Sequence, residues 1–264
     1  MDLQLTDKFA LVTGSTAGIG LAIATGLARE GVRVVVNGRT ESRVQTAVKA
    51  IQGKIKGANV EGFAGDLASV AGFESLIGRY PDLDILVNNL GIFAAQPFEE
   101  ISDDDWRRFF EVNVLSGVRL SRYYLPRMKA RNWGRIVFIS SESALQIPIE
   151  MIHYGFTKTA QLAVSRGLAE MTAGTGVTVN SLLPGPTASE GVSEFVSQLA
   201  KQENQTPEQF EKVFFEKARP TSLLKRFAST EEIANLAVYV CSPLASATNG
   251  AALRVDGGVL RSIV

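Results

Sequence analysis

The chain has 264 residues, of which 45% are hydrophobic and 20% are charged, so it is long and apolar enough to bury a full core. Lysine plus arginine and aspartate plus glutamate both total 27, and no basic stripe appears, which argues against a nucleic-acid partner. The single cysteine, Cys241, excludes an intramolecular disulfide and disfavours a cysteine metal site, so we expect no metal. The opening Met1-Asp2-Leu3-Gln4 lacks signal-peptide character and no apolar run is of membrane-spanning length, so we expect a cytoplasmic protein.

Short apolar segments rich in valine and isoleucine alternate with helical patterns along most of the chain. The predicted strands are Ala10–Val12, Arg33–Val36, Val60–Ala64, Ile85–Val87, Arg135–Ser140, Val177–Leu182 and Ala252–Val255. The predicted helices are Ile19–Glu30, Glu41–Ile51, Phe73–Gly78, Asp104–Lys129, Ile152–Ala173 and Thr230–Val240. Short apolar strands of this kind are typical of parallel strands buried on both faces. The pattern predicts a doubly wound α/β fold, with about seven parallel strands and helices on both faces, in one domain spanning residues 1–264.

One segment, from Thr187 to Leu224, departs from this alternation. It is polar and partly helical, and its apolar residues at helical spacing are Val192, Phe195, Val196 and Leu199. A segment of this length is often a lid over a binding site. The alternative is a surface excursion that only packs against the domain, and the sequence leaves both open.

A glycine-rich turn follows the first predicted strand directly. The segment Thr13-Gly14-Ser15-Thr16-Ala17-Gly18-Ile19-Gly20 leads straight into the first helix. This geometry gathers unpaired backbone N–H groups at the positive end of a helix dipole, which suits a pyrophosphate. Gly14 permits the tight turn, Gly18 lets a ligand approach the backbone, and Gly20 lets the helix pack close to the strand. The alternative is a strand-to-helix connection that binds nothing.

Two further polar turns follow predicted strands, where an open parallel sheet places its ligand. Asp66-Leu67 follows the third strand. The Asp66 carboxylate could accept a hydrogen bond from an adenine amino group or, alternatively, act as the N-cap of the next helix. Asn88-Asn89-Leu90-Gly91 follows the fourth strand. This turn could line the adenosine ribose of a bound dinucleotide. Alternatively, it only ends the strand, in a turn that the asparagine side chains hold.

A serine pair and a tyrosine–lysine pair follow the fifth predicted strand. Ser140-Ser141 ends that strand, and Tyr154 and Lys158 stand four residues apart, which places both on one face of a helix. A tyrosine with a reference pKa of about 10 carries protons poorly at neutral pH. A neighbouring ammonium, together with a cationic nicotinamide ring, would lower that pKa as acid–base catalysis requires.

Together these residues resemble the short-chain dehydrogenase/reductase family from end to end. The glycine pattern has that family's spacing, and the further motifs follow in its order: Asp66, Asn88-Asn89-x-Gly91, Asn113, Ser141, Tyr154, Lys158, Pro184-Gly185-x-Thr187 and Val255-Asp256-Gly257-Gly258. Ser141 precedes Tyr154 by thirteen residues, the family's usual distance, which favours it over Ser140 as the catalytic serine. The resemblance implies a Rossmann fold, a homotetramer, a small-molecule substrate, and hydride transfer between a nicotinamide and a carbonyl carbon.

The resemblance also assigns roles to the matching positions. Tyr154 would donate or take the hydroxyl proton, Ser141 would hydrogen-bond the substrate oxygen, and Lys158 would hold the nicotinamide ribose. Asn113, otherwise a solvated helix position, would interrupt its helix and hold a relay water through a freed carbonyl. The cofactor would contact Gly14, Ser15, Thr16, Gly18, Ile19, Gly20, Arg39, Asp66, Leu67, Asn88, Gly91, Tyr154, Lys158, Pro184, Gly185 and Thr187. The two long predicted helices, Asp104–Lys129 and Ile152–Ala173, would form the subunit interface.

The end of the second predicted strand, Asn37-Gly38-Arg39, bears on the choice of cofactor. Enzymes that use NAD usually place an acidic residue here for the ribose 2′-hydroxyl, and Gly38 occupies that position. Arg39 follows, and a guanidinium holds a 2′-phosphate that a carboxylate would repel. We therefore predict NADP(H) rather than NAD(H), with a solvated loop cation as the alternative interpretation of Arg39.

The mostly apolar segment from Ala144 to Met151 is expected beside the substrate. The candidate substrate contacts are Phe93, Leu145, Ile147, His153 and Phe195. Local packing is the alternative, above all for His153, which points about 100° away from Tyr154 on a helix. The predicted function is an oxidoreductase for a carbonyl or secondary alcohol, and the alternatives are a 3-oxoacyl-thioester reductase and a non-catalytic dinucleotide sensor.

Overall fold

The structure, a computed structural model, describes residues 1–190 and 206–263. The strands are β1 (Phe9–Val12), β2 (Arg33–Gly38), β3 (Val60–Ala64), β4 (Ile85–Asn88), β5 (Gly134–Ile139), β6 (Val177–Pro184) and β7 (Ala252–Val255). The helices are α1 (Gly18–Arg29), α2 (Glu41–Lys54), α3 (Val70–Arg79), α4 (Asp103–Phe110), α5 (Ser116–Ala130), α6 (Ile152–Glu170), α7 (Pro207–Lys217) and α8 (Thr230–Val240). The predicted substrate contact Phe195 lies outside the described residues, as do Val192, Val196 and Leu199.

The strands form one parallel sheet in the order β3-β2-β1-β4-β5-β6-β7. The chain runs outward from β1 to β3 and then returns to β4, which pairs with the other side of β1. Such a reversal of strand order opens a crevice at the carboxyl ends of the two central strands. The sheet confirms the predicted doubly wound fold and places the candidate site at this crevice.

Both faces of the sheet are covered by helices. Val34 and Val36 of β2 pack with Ile23 of α1 in one core cluster, whereas Val35 packs with Tyr124 of α5 in the other. Successive side chains of a strand point to opposite faces, so a strand buried on both sides is apolar at every position. This explains why the strand segments of the sequence show no alternation of polar residues.

The helix predicted over Asp104–Lys129 is divided in two. Its first part, α4, begins after Ser102, whose hydroxyl accepts a hydrogen bond from the Asp105 amide at 3.1 Å. A single π-helical turn, Glu111–Leu115, then leads into α5. Asn113 lies inside this turn, so the backbone is interrupted where the resemblance implied.

The described part of the segment from Thr187 to Leu224 contains α7 and a single bridge between Thr187 and Ala228. Phe215 of α7 is buried, and Phe214 stacks on Phe227 with 5.2 Å between ring centroids. The helix is therefore attached to the domain by an aromatic cluster. No helix among the residues described here is long and apolar enough to cross a bilayer.

Candidate active site

The glycine turn between β1 and α1 depends on glycine at three positions. Gly14 and Gly18 have φ values of +59° and +57°, in the left-handed region that favours glycine. A Cβ atom on Gly20 would lie 2.5 Å from Asn89 Nδ2 and 2.7 Å from the Gly14 carbonyl oxygen. Ala17, the N-cap of α1, offers no side chain to the amides of the first turn, so those amides face the crevice without a side-chain cap.

Side chains from neighbouring strands hold the glycine turn in place. Asn37 at the end of β2 accepts from the Gly14 amide at 3.1 Å and donates to the Phe63 carbonyl of β3 at 3.2 Å. On the other side, Asn89 donates to the Thr13 and Gly14 carbonyls at 2.9 and 3.0 Å. The turn is thereby fixed to β2, β3 and the end of β4, which preorganises it for a ligand.

Two predicted cofactor contacts have their side chains committed elsewhere. The Ser15 hydroxyl is fully buried, donates to the Val12 carbonyl at 2.6 Å and accepts from the Asn37 amide at 3.0 Å. The Ser15 hydroxyl is therefore not free to bind the cofactor. Asn88 donates from Nδ2 to Ser121 of α5 at 3.3 Å, so its side chain points between β4 and α5 rather than into the crevice.

The residues predicted for the adenosine half lie at the ends of β2 and β3. Arg39 is exposed, and the described residues give its guanidinium no ion-pair partner. A Cβ on Gly38 would lie 2.4 Å from Thr16 Cγ2, so a larger residue there needs Thr16 to move. The Asp66 carboxylate accepts from the amide two residues ahead at 3.0 Å, and the Leu67 side chain is buried in the core. Leu67 as a whole is only 1% exposed, so a ligand finds little of its surface.

The predicted catalytic side chains converge at the carboxyl end of β5. Ser141 follows the strand directly, and Tyr154 and Lys158 project from adjacent turns of α6. The Lys158 ammonium nitrogen lies 5.5 Å from the centroid of the Tyr154 ring and donates to the Ile139 carbonyl at 2.9 Å. Phe93, a predicted substrate contact, meets the Tyr154 ring edge-on at 6.4 Å.

Asn113 lies behind this group in the π turn. Its side chain exchanges two hydrogen bonds with the Ile92 backbone, at 2.8 and 3.0 Å, and donates to Thr157 of α6 at 2.9 Å. The carbonyl oxygen of Asn113 accepts from Gln161 Nε2 at 2.5 Å. Because a carbonyl oxygen has two lone pairs, a second donor can still bind there, and the water expected at this atom stays a prediction.

The ionisation of Tyr154 and Lys158 is governed by burial. Burial raises the pKa of Tyr154 above its ordinary value, and Glu142 adds to the rise, whereas a hydrogen bond with Ser141 and the charge of Arg219 oppose it. Burial lowers the pKa of Lys158 to about 7. In the chain without a cofactor, Tyr154 is thus a neutral phenol at neutral pH. The predicted lowering of its pKa, which requires a cationic nicotinamide ring beside Lys158, stays a prediction.

One cavity of about 840 Å³ joins the glycine turn to the catalytic side chains. It is bounded at one end by the Ala17-Gly18-Ile19 backbone and at the other by Ser141, Tyr154 and Lys158. Pro184, Gly185 and Thr187 line it after β6, and a Cβ on Gly185 would lie 2.5 Å from the Asp256 carbonyl oxygen. A nicotinamide dinucleotide fits this arrangement, because an uncapped helix start and an open channel lead from a pyrophosphate position to the proton-donor candidates.

The segment containing α7 forms the far wall of the cavity. The wall is aromatic, with Phe210 and Phe214 of α7 next to Phe227. Arg219 follows α7, and its Nε donates to Glu142 Oε1 at 2.9 Å. The side chains of Arg219 and Glu142 are only 13% and 5% exposed, so this is a buried ion pair. It connects the α7 segment to the loop that carries Ser141.

Glu142 also contacts the catalytic serine candidate itself. Its Oε2 accepts from the Ser141 hydroxyl at 2.5 Å and from the Ser143 amide at 2.6 Å. The orientation of Ser141 therefore depends on a carboxylate that Arg219 holds.

The other predicted substrate contacts lie away from the cavity in the described parts of the chain. His153 is fully buried, with its ring centroid 4.0 Å from that of Phe109, and burial lowers its pKa. Leu145 and Ile147 are about half exposed, and Ile147 packs over Gly155. None of the three lines the cavity, because His153 is packed into the interior while Leu145 and Ile147 are exposed elsewhere.

Sequence reasoning missed the two contacts that connect the site to its surroundings. Gln161 stands three residues after Lys158, and this helical spacing is a signal that could have found it. Arg219 has no such local signal, because its partner Glu142 is 77 residues away in the chain. As to metals, the described residues contain no group of three or more histidine, cysteine, aspartate or glutamate side chains that could hold an ion.

The sheet order and the cavity define a Rossmann-type oxidoreductase fold. A family model described as short chain dehydrogenase matches residues 8–200. The chain belongs to the short-chain dehydrogenase/reductase family.

Individual relatives cover the chain from end to end. The uncharacterized oxidoreductase YvaG of Bacillus subtilis is 49% identical over 263 residues, covering 100% of both proteins. The 3-oxoacyl-[acyl-carrier-protein] reductase FabG of Aquifex aeolicus is 32% identical, over 98% of this chain and 100% of that protein. The structure of L-sorbose reductase from Gluconobacter frateurii, complexed with NADPH and L-sorbose, has a TM-score of 0.93 at 33% identity and full coverage of both chains.

Proposed function

We propose that the protein transfers a hydride between NADP(H) and a carbonyl or secondary alcohol, with Tyr154 as the general acid and base. The observation that carries this proposal is the single cavity running from the glycine turn to Ser141, Tyr154 and Lys158. Gly18 and the first turn of α1 would hold the pyrophosphate, and Thr187 would contact the carboxamide. The cofactor supplies the hydride when bound, and the chain supplies alignment and the proton.

In the reducing direction, the Ser141 hydroxyl would leave its acceptor Glu142 and donate to the substrate carbonyl oxygen, while the Tyr154 hydroxyl gives that oxygen its proton. Tyr154 is left as a phenolate and regains a proton from water. Burial raises the pKa of Tyr154, which keeps it protonated and suits this acid role. In the oxidising direction the proton moves back, and the Lys158 ammonium stabilises the phenolate.

Two observations support NADP(H) over NAD(H). Arg39 presents an exposed guanidinium at the end of β2, and the tight contact between Gly38 and Thr16 disfavours an acidic side chain at position 38. The L-sorbose reductase with the same fold is complexed with NADPH. The Arg39→Asp variant should raise the NADPH dissociation constant at least about tenfold and spare that for NADH. Equal weakening of both cofactors would contradict the assignment, and Arg29→Asp, at the far end of α1, is the matched control.

The substrate class is open to direct measurement. The relatives favour two candidates, a polyhydroxy ketone and a 3-oxoacyl thioester. A panel of ketoses, simple ketones and a 3-oxoacyl thioester, followed by NADPH absorbance, separates them. Turnover of at least one compound supports an enzyme. NADPH binding without turnover of any would favour the alternative, a non-catalytic dinucleotide sensor.

The proposed setting is a cytoplasmic homotetramer without nucleic-acid or membrane partners. Phe156 of α6 is 45% exposed and lies 5.6 Å from the Trp106 ring of α4, on the face proposed as an interface. An exposed aromatic patch of this kind suits a contact between subunits. Light scattering in solution tests the number of subunits.

A further inference from the structure

One side chain links the catalytic lysine candidate to the π turn. Gln161 lies on α6, seven residues after Tyr154, and is 2% exposed. Its Oε1 accepts from the Lys158 ammonium at 3.3 Å, and its Nε2 donates to the Asn113 carbonyl at 2.5 Å. A carboxamide is the only neutral side-chain group that accepts with one end and donates with two N–H groups at the other.

This arrangement connects the π turn to the lysine through one fixed side chain. The π turn exposes the Asn113 carbonyl towards α6, where Gln161 donates to it. A carboxamide does not gain or lose protons at neutral pH, so Gln161 acts on Lys158 as an acceptor rather than as a proton carrier. We propose that Gln161 is a positioning residue that is anchored by the Asn113 carbonyl and sets the charge state of Lys158. The effect of Gln161 on catalysis rests on the proposed function, whereas its hydrogen bond with Lys158 does not.

The surroundings of Lys158 make its charge state depend strongly on Gln161. From β5 the ammonium is faced by the Ile139 carbonyl, from α6 by Gln161 and the Tyr154 ring, and from the loop after β4 by the Gly91 backbone. Within the described ranges, no carboxylate contributes to its ionisation, and burial lowers its pKa to about 7. Two neutral acceptors therefore hold the ammonium in a buried site. Loss of either acceptor changes its proton affinity.

The test is a titration of Lys158 by lysine-selective NMR in the complete, ligand-free protein. Gln161→Met keeps the side-chain length but removes the acceptor. The pKa of Lys158 should therefore fall by about one unit, which is a tenfold decrease in its proton affinity. Gln161→Glu places a carboxylate beside the ammonium, so the pKa should rise by at least about one unit. Ser165→Ala is the matched control, because Ser165 lies one turn further along α6, is 2% exposed, and its buried hydroxyl has no hydrogen-bond partner within the described structure.

Opposite shifts in the two Gln161 variants, with no shift in the control, support the proposal. A purely structural role would lower the melting temperature and leave the Lys158 titration unchanged. Values within about 0.3 unit of the wild type for both variants, or shifts of the same sign, overturn it. If Gln161→Met does not fold, Gln161→Glu decides alone: a raised pKa supports the proposal and an unchanged one refutes it. Because the NMR readout needs no turnover, it is separate from the substrate panel that tests the proposed function.

Discussion

The buried ion pair between Arg219 and Glu142 allows a quantitative prediction about the attachment of the α7 segment. Arg219→Met keeps much of the apolar stem but removes the cation, whose guanidinium carbon lies 5.9 Å from the centroid of the Phe214 ring. Glu142 then remains as a nearly buried carboxylate, still accepting from Ser141 and Ser143 but without its charged partner. Removal of one partner from a buried pair costs about 3–5 kcal/mol, because the other charge stays uncompensated.

A double-mutant cycle measures this interaction. Urea unfolding of the wild type, Arg219→Met, Glu142→Gln and the double variant gives the coupling free energy. We expect a coupling of about 2 kcal/mol or more, with the double variant more stable than Arg219→Met, since the carboxylate it leaves without Arg219, Glu150, is 48% exposed rather than buried. Arg107→Met is the control: its partner Asp104 lies at 2.8 Å, but the two side chains are 70% and 92% exposed, so the loss should stay below about 1 kcal/mol. A coupling below about 0.5 kcal/mol would refute the reasoning.

The same variants should shift the ionisation of Tyr154 in opposite directions. Arg219 acts to lower the pKa of Tyr154 and Glu142 acts to raise it. Arg219→Met should therefore raise that pKa and Glu142→Gln should lower it. Since alcohol oxidation requires the phenolate, its pH profile should move to higher pH in Arg219→Met and to lower pH in Glu142→Gln. Shifts of the same sign would contradict the electrostatic account.

Two further predictions concern the glycine turn and the buried lysine. In urea unfolding, Gly20→Ala should destabilise the protein by about 1–3 kcal/mol, because the new Cβ would lie 2.5 Å from Asn89 Nδ2, and it should also weaken NADPH binding. Gly53→Ala is the control. A Cβ on Gly53 would meet nothing within 4 Å, so this variant should stabilise α2 by up to about 1 kcal/mol in the same assay. Burial lowers the pKa of Lys158 from 10.5 to about 7. Between pH 7 and pH 10.5 this side chain therefore binds more protons in the unfolded chain than in the folded one, so its contribution to the free energy of unfolding rises with pH. The stability of the wild type relative to Lys158→Met should therefore increase by about 2 kcal/mol from pH 7 to pH 9, and a decrease would contradict the assignment.

The sheet and the glycine turn were predictable because their causes are local. Short strands buried on both faces are apolar at every position, so the predicted and observed strands agree within one or two residues at each end. The turn from Thr13 to Gly20 needs glycine where φ is positive or where backbones meet, and glycine is visible in a sequence. Tyr154 and Lys158 were found for a similar reason, since helical spacing alone places them on one face.

The remaining features depend on contacts between distant parts of the chain. The π turn at Asn113 has no distinctive local composition, so the sequence pattern predicted one helix where the structure has two. Glu142 and Arg219 meet only in the folded chain, because 77 positions separate them in the sequence. The rise of the Tyr154 pKa in the chain without a cofactor comes mainly from burial, which a sequence does not show.

The central claim is that Tyr154 transfers the substrate proton next to a bound nicotinamide. The most direct measurement compares turnover and NADPH binding in the Tyr154→Phe variant, which keeps the ring and removes only the hydroxyl. We expect turnover of the best panel substrate to fall about 10²–10⁴-fold, the range for loss of a general acid, while the NADPH dissociation constant stays within about threefold of the wild type. Undiminished turnover in a variant that still binds NADPH would contradict the claim.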